Sequence, residues 1–182
     1  MTRVLSDEAV AAIQAERGRY PDPRSALLPA LHIAQNEVGW CSADAIEDVA
    51  AVMELPTSDV EEVVSFYTMF YEDRVGSYVM EVCKTVPCAI LGADQIIGHI
   101  ADRLGISPGG TTPDGMFTLL RVECLAACHR APVMQVNSRY YENLTPERVD
   151  QLLDLMRRQA ELRRGQAREA PLPPLIGRVE AV

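Results

Sequence analysis

Four of the five cysteines fall into two spaced pairs, Cys83-x4-Cys88 and Cys124-x3-Cys128. Clustered cysteines in a reducing compartment read first as metal ligands or redox thiols. A catalytic dithiol would show Cys-x-x-Cys, and neither pair has that spacing. Structural zinc sites with four cysteines usually use closer knuckles, although wider ones occur. A 2Fe-2S cluster spreads four thiolates over two irons and so accepts more widely set ligands. The spacing favours a 2Fe-2S cluster and leaves zinc, disulfides and unrelated thiols open. The plant-type ferredoxin order, Cys-x4-Cys-x2-Cys, is absent.

A two-iron cluster on four thiolates carries a net charge of roughly −2 when oxidised and −3 when reduced, which nearby N–H groups must offset. Lys84, Thr85, Leu125 and Ala126 are the candidates for backbone donors. Pro87, Ala89, Ala126, Ala127 and Ala131 would keep the loops compact, although alanines also simply favour helix. A helix starting near Ala89 would point its positive end at the site. His129, beside Cys128, reads as a surface loop histidine rather than a proton-coupling group. Cys41, after Trp40, reads as a structural thiol and not a ligand. His32 and His99 lie on expected helices and read as packing or surface residues.

Each pair begins where an expected strand ends. Residues 76–83 alternate as a strand, and Cys83 closes it. Residues 116–123 form a second, and Cys124 follows it. If the two strands are neighbours, both pairs emerge at one edge of a sheet. Residues 89–104 return to helical spacing and 105–115 form a Gly- and Pro-containing loop. Residues 132–136 and 139–142 read as a hairpin around Asn137-Ser138. Pro132, after Ala131 and just before a strand, stands where a cis proline can occur, although a trans bond is the default. Thr145-Pro146-Glu147 starts a helix running to about Glu161.

Upstream, four short helices suggest a small bundle. Ser6 caps the first, to about Gly18. The second spans 24–38 and stops at Gly39, and Ser42 caps the third. Pro56 breaks that helix, and Thr57 or Ser58 caps a fourth, through Phe66 and Tyr67. Phe66, Tyr67, Phe70 and Tyr71 read equally as core or as a partner-binding patch. The whole is α+β, with domains expected at 1–73 (helical bundle), 74–161 (sheet with helices) and 162–182 (Pro-rich tail).

The formal charge is −9, from 17 Lys+Arg against 26 Asp+Glu. That balance argues against a phosphate-binding nucleic-acid partner and weakly against an anionic membrane surface. No apolar run approaches the roughly 18–20 residues that span a bilayer. The first residues, with Asp7 and Glu8, lack the apolar stretch of a signal peptide. A cytoplasmic location is expected, with any membrane association through a partner. No Ser-His-Asp set, phosphate loop or dinucleotide fingerprint stands out.

Cys-Lys-Thr-Val-Pro-Cys (83–88), Thr-Thr-Pro-Asp-Gly-Met-Phe-Thr-Leu (111–119), Val-Glu-Cys-Leu-Ala-Ala-Cys-His-Arg-Ala-Pro-Val-Met-Gln-Val-Asn (122–137) and Tyr-Tyr-Glu-Asn-Leu-Thr-Pro-Glu (140–147) closely resemble the small two-iron subunit of respiratory complex I, the E-subunit family of NADH-quinone oxidoreductase. Glu-Val-Gly-Trp (37–40) and Ser-Phe-Tyr-Thr-Met-Phe (65–70) are similar to its helical part. The resemblance covers about residues 24 to 160. It implies a helical bundle followed by a thioredoxin-like α/β ferredoxin domain, with one 2Fe-2S cluster on Cys83, Cys88, Cys124 and Cys128. It implies docking to a flavoprotein subunit that holds FMN and the NADH site, among other peripheral-arm subunits, on the cytoplasmic face of the inner membrane. The chain then works as one subunit of an NADH:quinone oxidoreductase, without a complete active site of its own. The same module serving an NAD-linked formate dehydrogenase or bidirectional hydrogenase is the alternative, ahead of a zinc-binding interaction module. Ala126 stands where the family usually has Gly. If that position needs positive φ, Ala costs ~1 kcal/mol.

Overall fold

The computed structural model describes residues 3–166. They divide into two compact units, the first ending at Arg74 and the second beginning at Val75.

The first unit holds helices α1 (Asp7–Arg17), α2 (Leu27–Val38), α3 (Ala43–Met53) and α4 (Thr57–Phe66) among the described residues. Local chemistry sets their ends. The Ser6 hydroxyl accepts from the Ala9 N–H at 3.1 Å, and the Ser42 hydroxyl from the Ala45 N–H at 3.2 Å. Gly39 stops α2 at φ +91°, a conformation that suits glycine. Two expectations need correction. Residues 23–26 form a 3-10 turn before α2, because Asp22 caps the Arg24 N–H at 2.9 Å. The cap of α4 is Pro56, not Thr57 or Ser58, and no side chain caps that helix. Ile13, Leu31, Val49, Met53 and Val60 are fully buried in the core. Each such side chain stabilises by about 1.5–3 kcal/mol. The aromatic group splits: Phe70 is buried, whereas Phe66 is 76% exposed.

The second unit carries a four-stranded sheet in the order β2-β1-β3-β4, from β1 (Tyr78–Cys83), β2 (Phe117–Val122), β3 (Met134–Val136) and β4 (Arg139–Tyr141). β1 and β2 run parallel, while β3 is antiparallel to β1 and β4 to β3. Tyr78, Met80 and Val82 alternate along β1 and pack with Phe117, Leu119, Met134 and Val136. Covering them are Ile96, Ile97 and Ile100 of helix α6 (Ala93–Leu104) and Val149, Leu153 and Met156 of α7 (Pro146–Gln166).

The helix expected over 89–104 is two helices, α5 (Val86–Ile90) and α6, because Gly92 takes φ +94° between them. Thr145 caps α7 through the Arg148 N–H at 3.2 Å. That helix continues past Glu161 to Gln166. Residues 167–182 of the expected tail lie outside the described residues. Asn137 and Ser138 sit at φ 46° and 69°, the pattern of a type I′ hairpin turn. The Ala131–Pro132 bond is cis, not the trans default. No helix among the described residues is long and apolar enough to cross a membrane.

Candidate metal centre

The parallel pairing of β1 with β2 sets Cys83 opposite Val122, so the two strands end side by side. Cys83 is the last residue of β1, and its N–H donates to the Val133 carbonyl at 3.1 Å. Cys88 lies on α5. Cys124 follows β2 by two residues, and Cys128 opens a 3-10 turn (Cys128–Arg130).

The sulfurs gather as two pairs. Cys124 Sγ and Cys128 Sγ are 3.5 Å apart, and Cys83 and Cys88 pack in one buried cluster. Charge on Cys83 raises the titration of both Cys124 and Cys128, so the pairs lie within electrostatic reach. Among the described residues no group of three or more His, Cys, Asp or Glu is set to hold a metal ion. Four thiols in two pairs are the donor set that a two-iron group takes.

The pairs differ in environment. Cys83 and Cys88 are buried, at 1% exposure each, with Ala93, Ala127 and Val133 around them. Cys124 and Cys128 are exposed. Burial alone would push Cys83 up. Hydrogen bonds from the Thr85 side chain and backbone, from the Leu125 N–H and from Cys88 outweigh it and hold Cys83 below the ordinary thiol range. The Thr85 hydroxyl is 3.2 Å from Cys83 Sγ. Burial and the Cys83 partner push Cys88 up to about 11. The Ala126 N–H, 3.3 Å from Cys124 Sγ, holds Cys124 down. Its bond with Cys124 pushes Cys128 up. One thiol of each pair is thus held below the ordinary thiol range and its partner above it.

Of the backbone donors expected from sequence, the Ala126 N–H reaches Cys124 Sγ, the Thr85 and Leu125 backbones lower Cys83, and the Lys84 N–H is engaged elsewhere. The Lys84 N–H donates to the Val122 carbonyl at 3.0 Å, extending the β1–β2 ladder, and its ammonium pairs with Glu123 at 2.9 Å. The expected helix end near Ala89 is also corrected: α5 begins at Val86 and has only 5 residues, too few for a sizeable macrodipole. Ala126 does take positive φ, at +60°.

Sequence reasoning missed two side chains. The Thr85 hydroxyl bonds Cys83, and the Tyr140 hydroxyl donates to the Leu125 carbonyl at 2.9 Å. The Tyr-Tyr-Glu-Asn run was the available signal for Tyr140. His129 is exposed in the 3-10 turn. Cys41 is buried in the first unit against Gln35 Oε1, 3.6 Å away.

A four-stranded mixed sheet that ends two neighbouring strands in thiol-bearing loops is the scaffold of a thiolate metal centre. The family described as thioredoxin-like 2Fe-2S ferredoxin matches residues 13–157, and the chain belongs to it. Similar to it is the NADH-quinone oxidoreductase E-2 subunit of Rhizobium meliloti (strain 1021), 44% identical over 145 residues, covering 80% of this chain and 86% of that protein. The corresponding E subunit of Rickettsia felis is 46% identical over 139 residues, covering 75% and 83%. That of Mycobacterium bovis is 40% identical over 155 residues, covering 85% and 61%. Among solved structures, the air-oxidised NAD+-reducing NiFe-hydrogenase aligns with a TM-score of 0.66 and 25% identity. The match covers 73% of this chain and 23% of the hydrogenase chain. The resemblance read from the sequence and the α+β, thioredoxin-like fold are both borne out.

Proposed function

We propose that Cys83, Cys88, Cys124 and Cys128 hold one 2Fe-2S cluster and that the chain is the electron-transfer subunit of a respiratory NADH-quinone oxidoreductase. The observation that carries this reading is the gathering of four thiols at adjacent strand ends, with the Ala126 N–H directed at Cys124 Sγ and the Thr85 hydroxyl at Cys83 Sγ. The relatives, all E subunits of NADH-quinone oxidoreductases, support the assignment of the complex. When bound, the cluster supplies one-electron chemistry. The protein's part is to hold the thiolates, to offset their charge with the Leu125, Ala126 and Thr85 donors, and to shield Cys83 and Cys88 from water.

The electron partner is the FMN of a flavoprotein subunit that also binds NADH, within a peripheral arm on the cytoplasmic face of the inner membrane. Val86, Ile90 and Leu91 support a docked partner: they are 69%, 78% and 58% exposed beside Cys88, an apolar surface of the kind a neighbouring subunit covers. A second reading, the equivalent subunit of an NAD-linked hydrogenase or formate dehydrogenase, is favoured by the likeness to the hydrogenase structure.

Anaerobic purification followed by iron, acid-labile sulfide and EPR measurement after dithionite tests the cluster. Expected are two irons and two sulfides per chain, lost when Cys83, Cys88, Cys124 or Cys128 becomes Ser. Zinc without sulfide would overturn it. The copurifying subunit separates the two complexes: a nickel or molybdenum protein selects the second.

A further inference from the structure

The peptide unit joining Leu125 to Ala126 is held at both ends. Its N–H donates to Cys124 Sγ at 3.3 Å, and its carbonyl accepts from the Tyr140 hydroxyl at 2.9 Å. A peptide is planar, with C=O and N–H directed oppositely, so fixing the carbonyl fixes the N–H. Accepting a bond at the carbonyl also strengthens the N–H of the same unit as a donor.

This peptide has a reason to turn over. Ala126 sits at φ +60°, which is unfavourable for an L-residue with a side chain. A flip of the 125–126 peptide rotates φ of Ala126 out of that region and swings the N–H away from Cys124. The Tyr140 bond opposes the flip. The backbone of Tyr140 is well fixed, although its side chain is 46% exposed. It is the central residue of β4, paired with Gln135 of β3. The hairpin turn before it is tied to β1: Asn137 Oδ1 accepts from the Val79 N–H at 2.9 Å, and Asn137 Nδ2 donates to the Ser77 carbonyl at 2.7 Å.

We propose that Tyr140 is a positioning residue that latches the Leu125–Ala126 peptide in its strained orientation, aiming the Ala126 N–H at Cys124 Sγ and so setting the reduction equilibrium of the centre. The inference rests on the reading that these cysteines hold a 2Fe-2S cluster. An N–H directed at a ligand sulfur stabilises the extra negative charge of the reduced state, so the latch favours reduction.

The test compares wild type, Tyr140→Phe, Ala126→Gly and the double variant, each loaded with cluster. Readouts are iron and sulfide content, an EPR-monitored redox titration, and the hyperfine coupling of exchangeable protons to the reduced centre. Tyr140→Phe is expected to keep full iron and sulfide while shifting the equilibrium about three- to tenfold toward the oxidised form, the worth of one ordinary hydrogen bond. Tenfold corresponds to about 59 mV for one electron. The coupling of one exchangeable proton weakens with it. In the Ala126→Gly background, where positive φ is free of strain, Tyr140→Phe shifts the equilibrium less. An unchanged potential and coupling in fully loaded Tyr140→Phe overturns the latch, as does an equal shift in both backgrounds. Wild-type protein without iron and sulfide overturns the cluster reading instead.

Discussion

Gln35 and Tyr71 are joined by a hydrogen bond in which the Tyr71 N–H donates to Gln35 Oε1 at 2.7 Å. The other end of the same amide, Nε2, donates to the Met69 carbonyl at 2.9 Å. Gln35 is 4% exposed on α2, so one buried side chain serves two backbone groups of the segment that follows α4. Gln35→Leu keeps the volume and removes both bonds, together with the weaker 3.6 Å contact from Cys41 Sγ. It should lower unfolding stability by roughly 2–4 kcal/mol, since two poorly solvated backbone groups lose a partner. A urea midpoint within error of wild type would refute this. Phe66→Ser, at a 76% exposed site, should stay within about 0.5 kcal/mol in the isolated chain.

Cys41 shares that neighbourhood, and its prediction concerns pH. Burial, with a smaller push from Glu72, raises its thiol from 9.0 to about 12. The folded value lies above the unfolded one, so the stability linked to Cys41 is fully present below about 9 and lost as pH rises toward 12. Inside that window the loss approaches about 1.4 kcal/mol per pH unit. Denaturation of wild type and Cys41→Ala at a series of alkaline pH values should show a shallower decline in the variant. Parallel declines would dispose of the idea, whatever the offset from the lost side-chain volume.

Two glycines should respond in opposite directions to alanine. A Cβ on Gly76 would lie 2.8 Å from the backbone N and C of Phe117 and 2.9 Å from the Met116 carbonyl carbon. Those atoms belong to the entry into β2 and cannot rotate away. The Gly76 N–H also donates to buried Thr118 Oγ1 at 2.6 Å, locking the approach. Gly76→Ala should destabilise by about 1–3 kcal/mol. Gly98 lies inside α6 with nothing within 4 Å of its Cβ position, and Gly98→Ala should stabilise by roughly 0.5–1 kcal/mol. Calorimetry of both variants checks the sign.

The parts of this molecule readable from sequence are those written in local pattern. Alternation and turn residues located β1, β2 and the Asn137-Ser138 hairpin, and the parallel pairing of β1 with β2 then brings Cys83 and Cys124 to one sheet edge. Gln35 was illegible because a polar residue on an amphipathic helix is ordinarily solvated, and only the tertiary fold supplies Met69 and Tyr71. Gly92 was overlooked because the apolar spacing of Ile90, Ile96, Ile97 and Ile100 continues across it. Lys84 was misjudged because parallel pairing engages its N–H one residue beyond the strand end, a feature of register that composition does not carry. Tyr140 acts through a hydroxyl fifteen positions from its acceptor Leu125. The loop motif around Cys124 cannot disclose such a contact.

The uneven burial of the cysteines gives a final prediction. In protein stripped of metal, iodoacetamide should alkylate the exposed Cys124 and Cys128 first. Cys83 and Cys88 should follow slowly, because at 1% exposure each they react only through local opening. Cys41 should be slowest, being both buried and raised to about 12. After cluster loading, Cys124 and Cys128 should become protected and Cys41 should keep its rate. Exposure alone would leave Cys124 and Cys128 reactive, so their protection reports metal ligation and not folding. Mass-spectrometric mapping of alkylated peptides over time reads each site separately. If Cys124 and Cys128 remain fast in protein containing full iron and sulfide, those two thiols do not hold the cluster, and the four-cysteine ligand set is wrong.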